Sequence, residues 1–385
     1  MIPNRRIITW QPVLTDHQAF TFQELTKRPD ISVISFVFQH EDTVRKRQGW
    51  PDTQVKSLER FLIPNYSFWQ FCWHQLQYYR NDIHIFCSPF QDFRMVGLLI
   101  LSVIMRLKFY LISEPYSPVS YSYFGHDSVL FDRIKAAFRP YLYWLYVLLI
   151  GKSVKGVFAI SELALSQYHA AGLDENKLFP FGYFVPFVDP INRSAVEPHP
   201  SLGLKIIFVG SLIARKGIDI LIKAAKILEE IGCHVVIDVF GPGDPSAFIN
   251  KYRNVQFCGQ IPFGNSQSVI SKYDLLVSPS RYDGWGVVVN EALCAGVPVL
   301  CSSRVGAGVL VDTFSAGSRF LSENVLDLAH SIAVLARSPK MLHSCRQGAL
   351  NASKLIQPSV AADYMIKVLF ADNSNLYPKS PWYCS

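Results

Sequence analysis

Short apolar runs separated by polar turns divide the chain into a repeated alternation. Ile7–Trp10, Ile31–Phe38, Ile83–Cys87, Lys108–Ser113, Val157–Ile160 and Leu178–Phe181 read as buried strands. Between them lie helix patterns at about Ala19–Lys27, within the aromatic stretch Phe61–Tyr79, at Phe90–Arg106 and at Val129–Ile150. One more runs to about Ala170, with Ser161 as its cap. Strands apolar on both faces and separated by helices predict a parallel sheet covered on both sides.

The alternation stops where Pro186, Pro190, Pro198 and Pro200 crowd among polar neighbours, which is linker chemistry. It then resumes with strands at Lys205–Val209, His234–Phe240, Val255–Phe257, Leu275–Val277 and Val297–Cys301. Helices are predicted at Gly217–Glu230, Gln267–Lys272, Asn324–Arg337, Lys340–Leu355 and Val360–Phe370, with a further helical segment headed by Glu291 and ending at Gly296. The expected fold is α/β: two doubly wound, Rossmann-like parallel-sheet domains facing a cleft at the carboxyl ends of their strands. Residues 1–185 form the first domain, 186–203 the linker and 204–356 the second domain. Residues 357–372 form a last helix packing back on the first domain, and 373–385 a tail.

Composition narrows the class. A chain of 385 residues, 50% hydrophobic and 17% charged, has material for two cores. The net charge of +7 points to anionic partners. Its cations are scattered, apart from Arg45-Lys46-Arg47, which argues against nucleic acid. Eight cysteines without a C-x-x-C pair read as small apolar residues of a reducing, cytoplasmic compartment. The first residues lack a signal-peptide core, and no apolar run reaches the ~18 residues of a membrane span. The aromatic helix around Tyr141–Leu149 admits two readings: core packing, or peripheral contact with an anionic membrane.

The candidate chemistry lies mostly in the second half. Strand ends carry Gly210, Gly241, Gly259 and Gly284-Trp285-Gly286, where glycine lets backbone amides approach a phosphate closely. Arg215 and Lys216 follow Gly210, placed to neutralise a diphosphate or simply solvated. After Asp274, the stretch Tyr273–Cys301 contains two acids, Asp283 and Glu291, bracketing the last glycine loop and the helix beyond. One carboxylate can grip ribose hydroxyls and the other a second polyol, so a nucleotide sugar would use every piece.

With those residues in view, the second half resembles the donor-binding half of family-four retaining glycosyltransferases, which have the GT-B fold. The resemblance rests on Gly210-Ser211-x3-Arg215-Lys216-Gly217, Gly241-x-Gly243, Phe257-x-Gly259, Ser278-Pro279-Ser280 and the run from Glu291 through Gly296-Val297-Pro298-Val299. It is specific over about residues 205–301. The family signature pairs two glutamates; here Asp283 stands in the first place, one methylene shorter, and Glu291 in the second. The resemblance implies that Glu291 binds the ribose and Asp283 the donor sugar. It gives the diphosphate to Arg215, Lys216 and the amides of Gly286 and Val287, with Gly210, Ser211, Gly241, Gly259, Ser280 and Gly284 completing the site. The donor would be a UDP- or GDP-linked sugar, with no further cofactor. The acceptor would be a glycolipid or saccharide, at the inner membrane face.

The first half matches the family less well. Its first loop, Gln11–Gln18, lacks glycine, and Ser113-Glu114-Pro115-Tyr116 stands where relatives often carry a histidine. Glu114, His17 and Asp16 are the candidate bases, with His126-Asp127 further along, while Ser161-Glu162 and Gly182-Tyr183 read as structural. No Asp-x-Asp triplet is present, so no metal is expected to bridge the diphosphate; the cations and helix amides would stabilise the leaving group. Two other classes remain open: a catalytically weak or inactive nucleotide-sugar-binding protein, and a dinucleotide-dependent oxidoreductase. No G-x-G-x-x-G follows a first strand, which weighs against the latter.

Overall fold

A computed structural model describes residues 5–39, 55, 58–88, 92–117, 129–187, 203–246, 254–371 and 378–383. The Arg45-Lys46-Arg47 cluster, His126, Asp127 and most of the proline-rich linker lie outside the described residues. The chain divides into two compact units. One comprises Met1–Tyr116, Phe138–Phe184 and Pro358–Ser380; the other Ser117–Ala137, Val185–Gln357 and Pro381–Ser385.

The first unit is built on seven parallel strands in the order β3-β2-β1-β4-β5-β6-β7. These are β1 (Arg5–Gln11), β2 (Ile31–Val37), β3 (Glu59–Leu62), β4 (Ile83–Cys87), β5 (Lys108–Ser113), β6 (Gly156–Ile160) and β7 (Leu178–Phe181). The connecting helices are α1 (Asp16–Thr26), α2 (Phe68–Tyr78), α3 (Phe93–Ile104), α4 (Val129–Ile150), which belongs to this unit from Phe138 onward, and α5 (Ser161–Ala170). Central strands are buried along their whole length, as β4 and β6 are, because helices cover both faces. One core gathers Trp10, Phe36 and Phe86 of the sheet with Leu76 of α2, Leu98 of α3 and Tyr146 of α4. Inside it, the Trp10 indole N–H donates to Nδ1 of His84 (3.1 Å), leaving Nε2 to donate to the Tyr79 carbonyl (3.0 Å). Both ring nitrogens are thus used, and burial lowers the His84 pKa to about 4, so the imidazole stays neutral.

The second unit has six parallel strands in the order β10-β9-β8-β11-β12-β13. They are β8 (Leu204–Val209), β9 (Val235–Phe240), β10 (Val255–Phe257), β11 (Leu275–Ser278), β12 (Val299–Ser302) and β13 (Gly317–Phe320). Its helices are α6 (Ile218–Glu230), α7 (Ser266–Ile270), α8 (Val287–Cys294), α9 (Gly308–Thr313), α10 (Val325–Arg337) and α11 (Pro339–Leu355). A separate core unites Ile206, Leu221, Ile237, Val277, Leu300 and Ile332. The last helix, α12 (Pro358–Leu369), belongs to the first unit and packs on α1, with an Arg28–Asp363 ion pair beside it.

Several local expectations are corrected. The aromatic stretch from Phe61 begins inside edge strand β3, and β13 and α9 are elements that the sequence pattern did not reveal. Both strands are four residues long and carry exposed or half-buried positions, so neither shows a clear period. Helix α1 starts at Asp16, three residues earlier than its apolar pattern; Gln18 Oε1 accepts from the Thr15 N–H and hydroxyl and fixes that start. Ser161 does not cap its helix: it is the first helical residue, at φ +81°, and its buried hydroxyl has no hydrogen-bond partner among the described residues. Seven cysteines are described, all free thiols and six of them buried.

Candidate active site

In the second unit, β8 and β11 lie side by side where the strand order reverses, the position at which open α/β sheets bind ligands beyond their carboxyl ends. The loop after β8 contains Gly210, Ser211 and a single 3-10 turn, Ala214–Lys216. The loop after β11 contains Ser280, Asp283, Gly284 and Gly286. Two hydrogen bonds tie them together: the Arg281 backbone N–H donates to Arg215 O (2.8 Å), and the Arg215 side chain donates from Nη1 to Tyr282 O (3.1 Å). Arg281 adds a two-pronged ion pair to Asp219 (both 2.7 Å) and a bond to Glu323 (3.0 Å). The two loops therefore form one stiff platform.

Lys216 Nζ lies 2.5 Å from Asp283 Oδ2, so the expected diphosphate cation and the expected sugar-binding acid hold each other. Burial works to raise the Asp283 pKa, but the charges of Lys216 and Arg215 outweigh it and hold the carboxyl below its ordinary value. The Asp283 backbone is pinned as well, its N–H donating to Arg304 O and its carbonyl accepting from Gly306 N–H (both 3.0 Å). Ser280 is buried, and its carbonyl accepts from the Ser302 hydroxyl (2.5 Å).

The glycines at neighbouring strand ends close the platform. Gly241 has φ +148°, and a Cβ there would lie 1.9 Å from the Gly210 carbonyl oxygen. Its N–H donates to Gly259 O (2.8 Å), linking three of the predicted positions in a row. Gly286, at φ +92°, is the N-cap of α8. Here the sequence expectation is corrected: α8 begins at Val287, so Glu291 lies in its second turn rather than heading it. The three β-branched valines obscure that start, while Gly286 marks it.

Glu291 is half-buried beside Ser266, the first residue of α7. Burial pushes its carboxyl up to about 7, against the Ser266 hydroxyl bond that holds it down. The platform thus contains one carboxylate locked in its charged form and one poised near neutrality. Among the described residues, no group of three His, Cys, Asp or Glu side chains could hold a metal ion.

In the first unit the structure assembles a second cluster. Tyr183, just beyond β7, donates its hydroxyl to Glu114 Oε1 at 2.6 Å, and Gln18 Nε2 donates to that hydroxyl at 3.4 Å. The His17 ring packs on the Tyr183 ring, with centroids 4.5 Å apart. Glu114 follows β5 and His17 lies in the first turn of α1, so both stand at carboxyl ends of strands, as Tyr183 does. Asp16 precedes His17 at the start of α1, where a carboxylate favours the positive end of the helix. Tyr183 and Gln18 were not foreseen as site residues. Tyr183 had been read as structural, and only folding brings it to Glu114, 69 residues away in sequence.

Residues 192–352 match the family described as "Glycosyl transferases group 1". An uncharacterized glycosyltransferase of Methanocaldococcus jannaschii is 36% identical over 109 residues, which cover 26% of this chain and 27% of that protein. The phosphatidyl-myo-inositol mannosyltransferase of Mycobacterium leprae is 23% identical over 224 residues, covering 56% and 59% respectively. The chain thus spans under two thirds of these curated relatives. Among solved structures, Anabaena HepE in complex with UDP and glucose superposes with a TM-score of 0.65 at 14% identity, covering 94% of this chain and 99% of that one. The fold is therefore of GT-B type.

Proposed function

We infer that this chain, whose residues 192–352 carry a domain of the glycosyl transferases group 1 family within a GT-B fold, is a retaining glycosyltransferase of family four. It moves a sugar from a UDP- or GDP-linked donor to a glycolipid or polysaccharide acceptor, without a metal, at the cytoplasmic face of a membrane. The observation that carries this reading is the convergence of Arg215, Lys216 and Asp283 at the β8–β11 switch point.

The donor diphosphate engages Lys216, Arg215 and the amides that open α8 at Gly286 and Val287. Glu291 accepts from the ribose hydroxyls. On donor binding Lys216 turns part of its charge from Asp283 to phosphate, which frees Asp283 to accept from sugar hydroxyls. As the glycosidic bond breaks, charge builds on the departing diphosphate, where the cations are already held in place. The acceptor hydroxyl attacks on the face from which the diphosphate leaves, so configuration is retained. Glu114, oriented by Tyr183, is the first candidate to receive its proton, ahead of His17 and Asp16.

Incubation with a panel of UDP- and GDP-sugars and candidate acceptors, with released nucleoside diphosphate measured, tests the reading. Release with one donor and saccharide acceptor is expected. The Lys216–Asp283 pair itself favours a second reading, a nucleotide-sugar-binding protein without turnover, because each group is already occupied. Donor binding by calorimetry with no release across the panel would select that alternative.

A further inference from the structure

Helices α2, α3 and α4 cover one face of the first sheet, and their inward residues share one core. In α4 the inward residues Tyr143, Tyr146, Val147 and Ile150 fall on one arc of the helix. The opposite arc of about 160° is also apolar. It holds Phe138, Tyr141 (70% exposed), Trp144 (55%), Leu145 and Leu148 (63%). A helix segment apolar all round is ordinarily enclosed on every side. Here only one side is covered.

The neighbouring helices repeat the pattern. Ile100 and Ile104 of α3 and Trp69 and Trp73 of α2 point outward and are exposed. Trp69 lies so close over Gly97 of α3 that a Cβ there would be 2.4 Å from its ring, which joins the outer surfaces of the two helices. Three consecutive helices therefore present aliphatic and amphipathic aromatic side chains on a single layer, more than scattered surface apolar residues supply.

Charge identifies the occupant. From Phe93 to Ser113 and from Arg133 to Ser161 the sequence contains no Asp or Glu. The same two stretches contain Arg106, Lys108, Arg139, Lys152 and Lys155, while Arg94 is paired with Asp92. Lys152 and Lys155 follow the end of α4, and Arg106 and Lys108 follow the end of α3. Lys155 crowds both Lys108 and Lys177: burial lowers both pKa values first, and the Lys155 charge lowers them further, at Lys177 against the opposing pull of Asp174. An apolar, Trp- and Tyr-bearing layer edged by cations complements a surface that is apolar beneath and anionic at its rim.

We propose that the outer layer of α2, α3 and α4 is a docking face for anionic lipid bilayers, on which the protein lies without spanning. No helix among the described residues is long and apolar enough to cross a membrane. Only the purpose of this face rests on the proposed glycolipid acceptor; vesicle binding itself is read without sugar transfer.

The test is co-sedimentation of the full chain with phosphatidylglycerol–phosphatidylcholine vesicles and with pure phosphatidylcholine vesicles. Binding to the anionic vesicles is expected, weakened by high salt. The double substitution Trp144→Glu with Leu148→Glu should weaken it at least tenfold while UDP affinity stays constant, which also reports that the variant is folded. Lys152→Glu with Lys155→Glu should remove the preference for anionic over neutral vesicles. As an independent readout, Leu148→Cys carrying an environment-sensitive dye should shift to the blue on vesicle addition. No sedimentation of the wild type, no dye shift, or binding unchanged by the Trp144 and Leu148 substitutions would overturn the proposal. So would a concentration-dependent dimer abolished by those substitutions, which would assign the face to a second copy. Vesicle binding without any sugar transfer would leave the face assigned and overturn the proposed function instead.

Discussion

Asp283 and Glu291 bring the same chemical group into opposite surroundings. The native pKa of Asp283 is depressed, so its stabilisation is present above the unfolded value of about 4 and is lost as pH falls through the lower native one. Asp283→Asn leaves Lys216 without its partner in a largely buried site and should cost about 3 kcal/mol, measured by urea unfolding at pH 7. Glu291 behaves in the reverse sense. Its native value of about 7 lies above the unfolded one, so its relative contribution is greatest below pH ~4.3 and is lost as pH rises through 7. Because the charged form is the better acceptor for ribose hydroxyls, nucleotide affinity should fall several-fold between pH 8 and pH 6. Calorimetry at both values checks this, and Glu291→Gln should abolish the step. In the first unit, Tyr183→Phe removes the hydroxyl that orients Glu114. It should lower kcat about tenfold or more with donor affinity unchanged, as steady-state kinetics and calorimetry together would read.

At the scale of elements, the platform depends on loops that approach within backbone contact. Gly241→Ala would drive a methyl into the Gly210 carbonyl at a φ that side chains rarely adopt. It should destabilise the second unit by about 2 kcal/mol or more and abolish nucleotide binding; thermal melts and UDP titration check both effects. The glycines, the Arg215–Lys216 pair and Glu291 could be read in the sequence because each is a special residue type at the end of an apolar run. Strand bounds were also accessible where polar or turn residues cut a short apolar run off sharply: β5, β7 and β10 have the bounds that their runs imply. What could not be read arose from tertiary choices. The valines of α8 favour strand locally, yet Gly286 turns them into a helix. The Lys216–Asp283 pair and the Glu114–Tyr183 bond join residues about 70 positions apart, for which no local period exists. The exposed arc of α4 was visible only as aromatic content, since periodicity cannot tell an apolar face that is covered from one that is bare.

For the whole molecule, two separate cores imply two units of independent stability. Nucleotide contacts are assigned to the second unit alone, so calorimetric unfolding should show UDP raising one transition and leaving the other in place. At a hundredfold excess over Kd the stabilised unit gains about 2.7 kcal/mol. Equal shifts in both transitions would show that the units unfold as one.

The return of α12 to α1 also sets an order of events during synthesis. Ala19, Phe22 and Leu25 of α1 are buried in the finished protein, in a unit whose last helix starts only at Pro358. A ribosome adding about 5–20 residues per second needs tens of seconds to travel from the one helix to the other. Throughout that interval the long Val185–Gln357 segment of the second unit can be made and begin to fold while the first still lacks a wall. The unit begun first therefore waits for its closing helix until nearly the whole chain has been made. A nascent chain halted before Pro358 should be captured by a chaperone or protease through α1, and released once α12 has emerged.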